Sequence, residues 1–336
     1  MRFILNNIIS EIDILDSFDD LVYNNKIVII DNKVHQLQKA ILDPLIKNSS
    51  VYFFDANENN KTIDELENIY RFFQDHNVNR ETIIIGIGGG ITTDITAFAA
   101  STFKRGCRLQ LIPTTFLAMV DAAIGGKTAV NFNGFKNAIG TFYPAERIYI
   151  NLDFLKTLSN KDYISGWAEC VKASLIKNNG LYEIISKDNA TITTEVLLKT
   201  IEIKMALCEN DLVDLGERRK LNLGHTFAHV IESASGYTIN HGDAVAIGIR
   251  KAAEFSKNEN LINKNDFVKI NKLLDNFNLQ KNIPIKIKNI IKKKGKKIIL
   301  QDKKAGKKIR LVIFQGFQDV QVKEIEDSQK IVDLLI

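Results

Sequence analysis

Proline, tryptophan and cysteine are all scarce in this chain of 336 residues. Its four prolines form no Pro-rich linker, and neither a low-complexity segment nor an internal repeat is visible. The three cysteines, Cys107, Cys170 and Cys208, are odd in number and lack CxxC spacing. That excludes a disulfide framework and points to reduced thiols in the cytoplasm. No apolar run approaches the roughly 20 residues needed to cross a bilayer, so no membrane partner is expected. The opening residues 1–7 have no sustained apolar core and soon turn acidic, unlike a secretory signal. Histidine is scarce too, which makes its placement informative: of five histidines, His225, His229 and His241 fall within seventeen positions.

Apolar residues at 45% and charged residues at 25% are in the range of a soluble globular protein. The length is too great for one small core, so two domains are expected. The net charge of +5 is unevenly spread: residues 286–308 hold eleven lysines against one acid, Asp302. Such a run is either a nucleic-acid patch or the solvated face of a Lys- and Ile-rich segment. No aromatic residues interleave the lysines to stack bases, so the solvated face is the expectation and no nucleic-acid partner is foreseen.

Strand-like and helix-like patterns alternate in the first half. The β-branched run 26–31 ends in Asp31, and 51–54 is a second run. Residues 62–75 place Ile63, Leu66, Ile69, Tyr70 and Phe73 on one helical face. Residues 82–90 run from a strand into glycines, 95–103 reads as a helix, 109–112 is a strand stopped by Pro113, and 147–152 is another strand. This alternation predicts a parallel sheet wrapped by helices. Beyond about residue 155 helical periodicity dominates, at 161–177, 194–212, 226–235, 243–258 and 264–277. A late strand at 310–314 should form a small hairpin. The expected domains are an α/β unit over 1–157 and a helical unit over 158–336.

Two groups of residues carry chemistry. The glycines 86–90, with Asp94 early in the next helix, suit a nucleotide: glycine lets a pyrophosphate approach the backbone, and a helix start supplies N–H donors. Asp31 could take a ribose hydroxyl or simply end its strand. Glu169, Lys172 and the three clustered histidines combine a carboxylate, imidazoles and an amine, as a metal site requires. His225 and His229 are one helical turn apart, so spacing alone leaves both open as ligands. Between these groups, residues 113–142 surround glycines with Asp121, Lys127, Asn131, Lys136 and Asn137, in what reads as loop and short helix. Lysine and asparagine suit an anionic, hydroxyl-rich substrate. A phosphate-binding P-loop around Lys127 fails, because its first glycine would fall at Asp121.

The order of these motifs is GGGxxxD, PTTxLAxVDAxxGGKTAVN, Lys136-Asn137, AExxK, NxGHTxxH and HGD. It resembles the sugar phosphate cyclases, and within them the 3-dehydroquinate synthases, from about Glu58 to Asp243. GGGxxxD is shared with glycerol and iron-dependent alcohol dehydrogenases, whereas the central and histidine motifs are specific. The resemblance implies a Rossmann-like NAD domain, a mainly α-helical metal-binding domain, and a cyclase acting on a sugar phosphate with NAD as a recycled catalyst. It implies Glu169, His225 and His241 as ligands of zinc or cobalt, and His229 with Asn222 at the substrate phosphate. Lys127, Asn137, Lys204 and Arg218 match positions that hold substrate anions or hydroxyls, and Asp121 and Lys172 match residues around the reacting hydroxyls. Arg105 matches an arginine that reaches a neighbouring subunit's substrate, implying a homodimer. For NAD the matching positions are Asp31, Glu58, Lys61, Gly89, Gly90, Asp94, Thr114, Thr115, Lys127, Lys136, Thr157 and Leu158. Without the resemblance, Glu58 and Lys61 read as helix-entry charges.

The chain departs from the family pattern at Thr93, Asp214 and Asp243, and in a shortened segment at 302–306 holding Lys303 and Lys304. These departures keep 2-epi-5-epi-valiolone and 2-deoxy-scyllo-inosose synthases in view as alternatives. A polyol or glycerol-phosphate dehydrogenase is a more distant one, because it needs no anion cradle like GGKTAVN.

Overall fold

The computed structural model describes residues 1–5, 8–18, 21, 25–187, 191–302 and 309–336. Two compact units divide the chain: Met1–Tyr163 with Cys208–Val213, and Ile164–Leu207 with Asp214–Ile336. The second stretch of the first unit comes from far along the chain, which a single boundary near residue 157 does not anticipate.

In the first unit the elements run β1 (Arg2–Leu5), β2 (Ile8–Ile14), β3 (Lys26–Asp31), α1 (Asn32–Leu37), α2 (Lys39–Ile46), β4 (Ser50–Phe54), α3 (Ile63–Asp75), β5 (Ile83–Gly88), α4 (Gly90–Thr102) and β6 (Arg108–Pro113). They continue with β7 (Lys127–Phe132), β8 (Phe135–Phe142) and β9 (Arg147–Ile150). Seven strands form one sheet in the order β1-β2-β9-β6-β5-β3-β4, antiparallel at β1–β2 and parallel elsewhere. Central parallel strands are covered on both faces and so need unbroken apolar runs; β5 is buried along its whole length, and Ile27, Val28, Ile29 and Ile30 of β3 are buried as well. Thr62 caps α3, whose Leu66, Ile69 and Phe73 are buried.

Two expectations change here. Helix α4 starts at Gly90, five residues before its apolar pattern, because Thr92, Thr93, Ile95 and Thr96 are all buried and leave no amphipathic rhythm to read. The central segment is not all loop and short helix. After a π-helical turn at Ala118–Ala122 it forms the antiparallel hairpin β7–β8. Strand β8 is exposed at nearly every position, so it carries no alternation to reveal it. Strands β1 and β2 are two further elements that the sequence reading does not name; β1, at the sheet edge, has only four residues.

The second unit contains α5 (Asn160–Ile176), α6 (Leu181–Ile185), α7 (Thr194–Cys208), α8 (His225–Ala234), α9 (His241–Asn258), α10 (Lys264–Asn276), α11 (Ile285–Asp302), the hairpin of β10 (Ile309–Gly316) and β11 (Asp319–Ile325), and α12 (Ser328–Leu335). As far as Asp302, the lysine run folds as α11. Ile287, Ile291, Gly295 and Ile299 are buried, while Lys292, Lys293, Lys294, Lys296 and Lys297 are exposed. Lys303 and Lys304 lie outside the described residues. Among the described residues no helix is long and apolar enough to cross a membrane.

Candidate active site

In the second unit, Glu169 sits on α5, His225 opens α8 and His241 opens α9. Two close approaches hold these three helices together, and both require glycine. Gly224, with φ +80°, precedes His225, and Gly248 of α9 lies against it; a Cβ at Gly248 would stand 2.1 Å from the Gly224 carbonyl oxygen. Gly242, directly after His241, lies against α5; a Cβ there would be 2.5 Å from Ser165 Cα. The Gly242 N–H donates to Ser165 Oγ at 3.0 Å, one turn before Glu169.

The result is a compact triad. Glu169 Oε1 lies 3.4 Å from His241 Nε2 and 3.9 Å from His225 Nε2. Ligand atoms of all three residues fall within 4.8 Å of one another. Two ligands held tetrahedrally about 2.1 Å from zinc are themselves about 3.4 Å apart, so small ring movements close this set around an ion. The chemistry of the set fits as well. The Glu169 side chain is 2% exposed, and its carboxylate faces the Lys172 ammonium on one oxygen and both imidazole Nε2 atoms on the other. A buried carboxylate shared in this way between an ammonium and two imidazoles is a donor set that can also take a divalent cation. His241, with 31% of its side chain exposed, marks the open side. The Nδ1–H of His225 donates to the Leu223 carbonyl at 3.2 Å, an acceptor-only partner that fixes the tautomer and leaves Nε2 facing Glu169.

Lys172, one turn beyond Glu169, forms a buried ion pair with its carboxylate. Burial works to raise the Glu169 carboxyl, but the Lys172 ammonium and the two imidazoles more than offset it and hold it well below the usual range. Burial, then the same ammonium, hold His225 well below its ordinary value and therefore neutral, as a ligand must be. For His241 burial acts downward, but Glu169 and Glu232 outweigh it and push the imidazole up to about 10. His229 stands apart from the triad: it is exposed, edge-on to His225 with ring centroids 5.8 Å apart. The geometry thus separates the two histidines that spacing leaves equivalent. Lys204 of α7 and Arg218, in the 3-10 turn Glu217–Asn222, are buried, and Asn222 ends that turn half-buried. Trp167 stacks on Phe277 at 4.1 Å, and Cys170 is buried.

In the first unit a second polar cluster ties the β7–β8 hairpin to the turn Glu58–Asn60. Lys61, buried, contacts Asp94 of α4 at 2.5 Å and Asn137 at 2.6 Å. Glu58 pairs with Lys136 at 3.2 Å and accepts from Asn131 Nδ2 at 2.7 Å. Helix α4 begins without a side-chain cap, so its first N–H groups can meet an anion. A Cβ at Gly89 would come within 3.0 Å of Thr115, and one at Gly90 within 3.0 Å of Ala122. The Thr114 N–H donates to the Gly88 carbonyl at the ends of β6 and β5. Asp31 caps α1, its Oδ1 accepting from Lys33 N at 2.9 Å, and burial raises its carboxyl despite those bonds. Thr157 accepts from Gln38 at 2.7 Å, just past α1, with Leu158 half-buried beside it. Asp121 is half-buried in the π-helical turn, while Lys127 at the start of β7 and Arg105 are exposed, Arg105 with φ +65°. The departure at Thr93 is absorbed by a bond from its Oγ1 to the Gly90 carbonyl at 3.1 Å.

The sequence does not single out Glu232, and it names Asn131 only among the polar residues of the central segment, not as a partner of Glu58. Asn131 lies inside the GGKTAVN block, and Glu232 falls two turns after His225 on the same helix face.

Family models for the N-terminal and C-terminal parts of 3-dehydroquinate synthase match residues 51–165 and 166–305. A 3-dehydroquinate synthase of Pelagibacter ubique is 34% identical, with 98% of this chain and 93% of the relative covered. The chain belongs to the 3-dehydroquinate synthase family. Family members are phosphate-eliminating cyclases, so the protein is an enzyme of that class. Among solved structures, 2-epi-5-epi-valiolone synthase from Streptomyces hygroscopicus, with NAD+ and Zn2+ bound, has a TM-score of 0.84 at 22% identity, covering 97% of this chain and 95% of that one. A 2-deoxy-scyllo-inosose synthase complexed with carbaglucose-6-phosphate, NAD+ and Co2+ also has a TM-score of 0.84 at 22% identity, covering 100% and 99%. Both share the fold of the 3-dehydroquinate synthase family, an α/β domain followed by a helical one.

Proposed function

We propose that the protein converts 3-deoxy-D-arabino-heptulosonate 7-phosphate to 3-dehydroquinate and inorganic phosphate, a step of the shikimate pathway toward aromatic amino acids. The observation that carries the reading is the Glu169–His225–His241 triad with Lys172 beside it, in a chain of this family. The related structures that hold NAD+ with Zn2+ or Co2+ support the same two cofactors here. When bound, the metal supplies Lewis acidity toward substrate hydroxyls, and NAD takes a hydride from the C5 alcohol and returns it after phosphate has left.

The residues divide the remaining work. Glu169, His225 and His241 hold the metal. Lys172, tied to Glu169, orients the reacting hydroxyl and holds its proton; Asp121 is assigned to the same hydroxyls. Lys204 and the buried Arg218 fix substrate anions and hydroxyls, and His229 with Asn222 receives the phosphate. In the first unit, Lys127 and Asn137 are assigned to the substrate. Glu58, Lys61, Asp94, Lys136, the glycine turn at Gly89 and Gly90, Thr114, Thr115, Asp31, Thr157 and Leu158 are assigned to NAD. Residues 1–157 are the NAD domain and 158–336 the metal and substrate domain. The enzyme works in the cytoplasm as a homodimer, with the exposed Arg105 offered to the neighbouring subunit's phosphate.

The test is phosphate release from the heptulosonate phosphate with NAD and a divalent metal, with no net NADH. The expected product is dehydroquinate. Turnover of sedoheptulose 7-phosphate or glucose 6-phosphate, with none of the heptulosonate phosphate, overturns the substrate assignment. Accumulating NADH overturns the cyclase reading.

A further inference from the structure

We propose that Glu232 is a positioning residue for the metal centre, holding His241 through its outer ring nitrogen. This rests on the reading of Glu169, His225 and His241 as ligands.

Glu232 belongs to α8 and lies seven residues after His225, so both point from one side of that helix. Its Oε1 is 3.4 Å from His241 Nδ1, and its side chain is 12% exposed. The other ring nitrogen of His241, Nε2, faces Glu169 at 3.4 Å. The imidazole therefore bridges two carboxylates, one inside the ligand set and one outside it. Both carboxylates accept only, so without metal both ring nitrogens carry a hydrogen; a bound cation displaces the one on Nε2, while Glu232 keeps the one on Nδ1. His225 shows the same arrangement with the Leu223 carbonyl as outer acceptor at 3.2 Å. Both ligand rings are thus aimed the same way, each fixed from behind. A histidine ligand held by an outer carboxylate keeps one tautomer and one orientation and is a stronger base toward metal.

Charge gives Glu232 a second role. Glu169 is the single anion of the triad, and Lys172 pairs with it. The inner set alone leaves the charge of a divalent ion uncompensated in a largely buried place. Glu232 supplies a second negative charge without occupying a coordination position that substrate hydroxyls need.

The test compares Glu232→Ala, Glu232→Gln and His241→Ala in zinc competition against a chromophoric chelator, with the absorption spectrum of the Co2+-loaded proteins as a second readout. Thermal unfolding in EDTA establishes that each variant is folded. Expected is a loss of zinc affinity of about 10–100-fold in Glu232→Ala. Glu232→Gln, whose amide oxygen still accepts from Nδ1 but carries no charge, recovers only part of that loss, and the cobalt band shifts in Glu232→Ala while the EDTA unfolding temperature does not. If Glu232→Ala binds zinc like the wild type while His241→Ala does not, the positioning role is overturned and the metal site stands. If Glu232→Ala and Glu232→Gln both lose zinc as completely as His241→Ala, Glu232 is a ligand and the assignment fails. If His241→Ala binds zinc normally, the reading of the metal site itself fails.

Discussion

Gly248→Ala sets two physical effects against each other with opposite signs. Gly248 lies well inside α9, where alanine normally stabilises a helix by about 0.5–1 kcal/mol through backbone entropy. Yet a Cβ at this position would stand 2.1 Å from the Gly224 carbonyl oxygen and 2.8 Å from its carbon. Non-bonded heavy atoms settle about 3.5 Å apart, so the two backbones must part by roughly 1.4 Å. The obstructing atoms are all main chain, with no flexible side chain to swing aside. Forcing such an insertion costs about 1–3 kcal/mol, which outweighs the propensity gain and leaves the variant less stable. The site suffers with it. Gly224 adjoins His225, and His241 lies two turns before Gly248 on the same rigid helix, so the displacement passes into the separation of the two ligands. Metal ligands tolerate about 0.2 Å, so zinc affinity should fall at least about tenfold. Urea unfolding of the metal-free protein and zinc competition measure the two effects separately. A variant as stable as the wild type, with zinc affinity within about twofold, refutes the close-approach argument.

Lys172→Met leaves the Glu169 carboxylate buried without its ammonium; the metal-free variant should lose about 3–5 kcal/mol, and saturating zinc should restore most of it by replacing the lost positive charge. Unfolding temperatures in EDTA and in zinc check this, and equal stability in EDTA would show that the ion pair contributes nothing. Asp275→Asn tests the buried Arg250, whose guanidinium lies 2.7 Å from that carboxylate. Burial would raise the Asp275 carboxyl, but Lys281 and Arg250 more than offset it and hold it below its ordinary 3.8. Its contribution is therefore present above that pH and is lost as pH falls through the lower folded value. The variant should be about 1–2 kcal/mol less stable at neutral pH, a range reduced because the carboxylate is partly exposed, and the gap should close toward pH 3; a gap independent of pH contradicts the assignment.

Much of this architecture is legible in the chain. Unbroken apolar runs announce β3 and β5, the glycines after β5 mark a strand-to-helix turn, and scarce histidines crowd into one region. What stays hidden has a common cause: the sequence names groups but not their neighbours. His225 and His229 share a helix face, and their spacing does not separate them. The separation comes from Gly242 meeting Ser165 and Gly248 meeting Gly224, contacts between segments far apart in the chain. Glu232 escapes notice, and the partner of Asn131 stays hidden, for the same reason: each acts on a residue brought to it by tertiary packing, His241 in one case and Glu58 in the other. Asp31 shows the converse, a residue whose position fits a cofactor and which the structure also uses as a helix cap. Strand β8 and the start of α4 are missed because one is exposed and the other buried on nearly every side, and periodicity needs two unlike faces.

The glycines therefore carry more of the site's specification than their chemistry suggests. A histidine pair one turn apart occurs on many surface helices. When one histidine follows a left-handed glycine, and another precedes a glycine packed on the helix of the buried carboxylate, few arrangements bring those side chains together. In this chain Gly224 and Gly242 stand directly beside the two histidines of the triad, and His229 has no such neighbour. That asymmetry is present in the sequence itself, and it separates His225 from His229 on physical grounds that spacing alone does not supply.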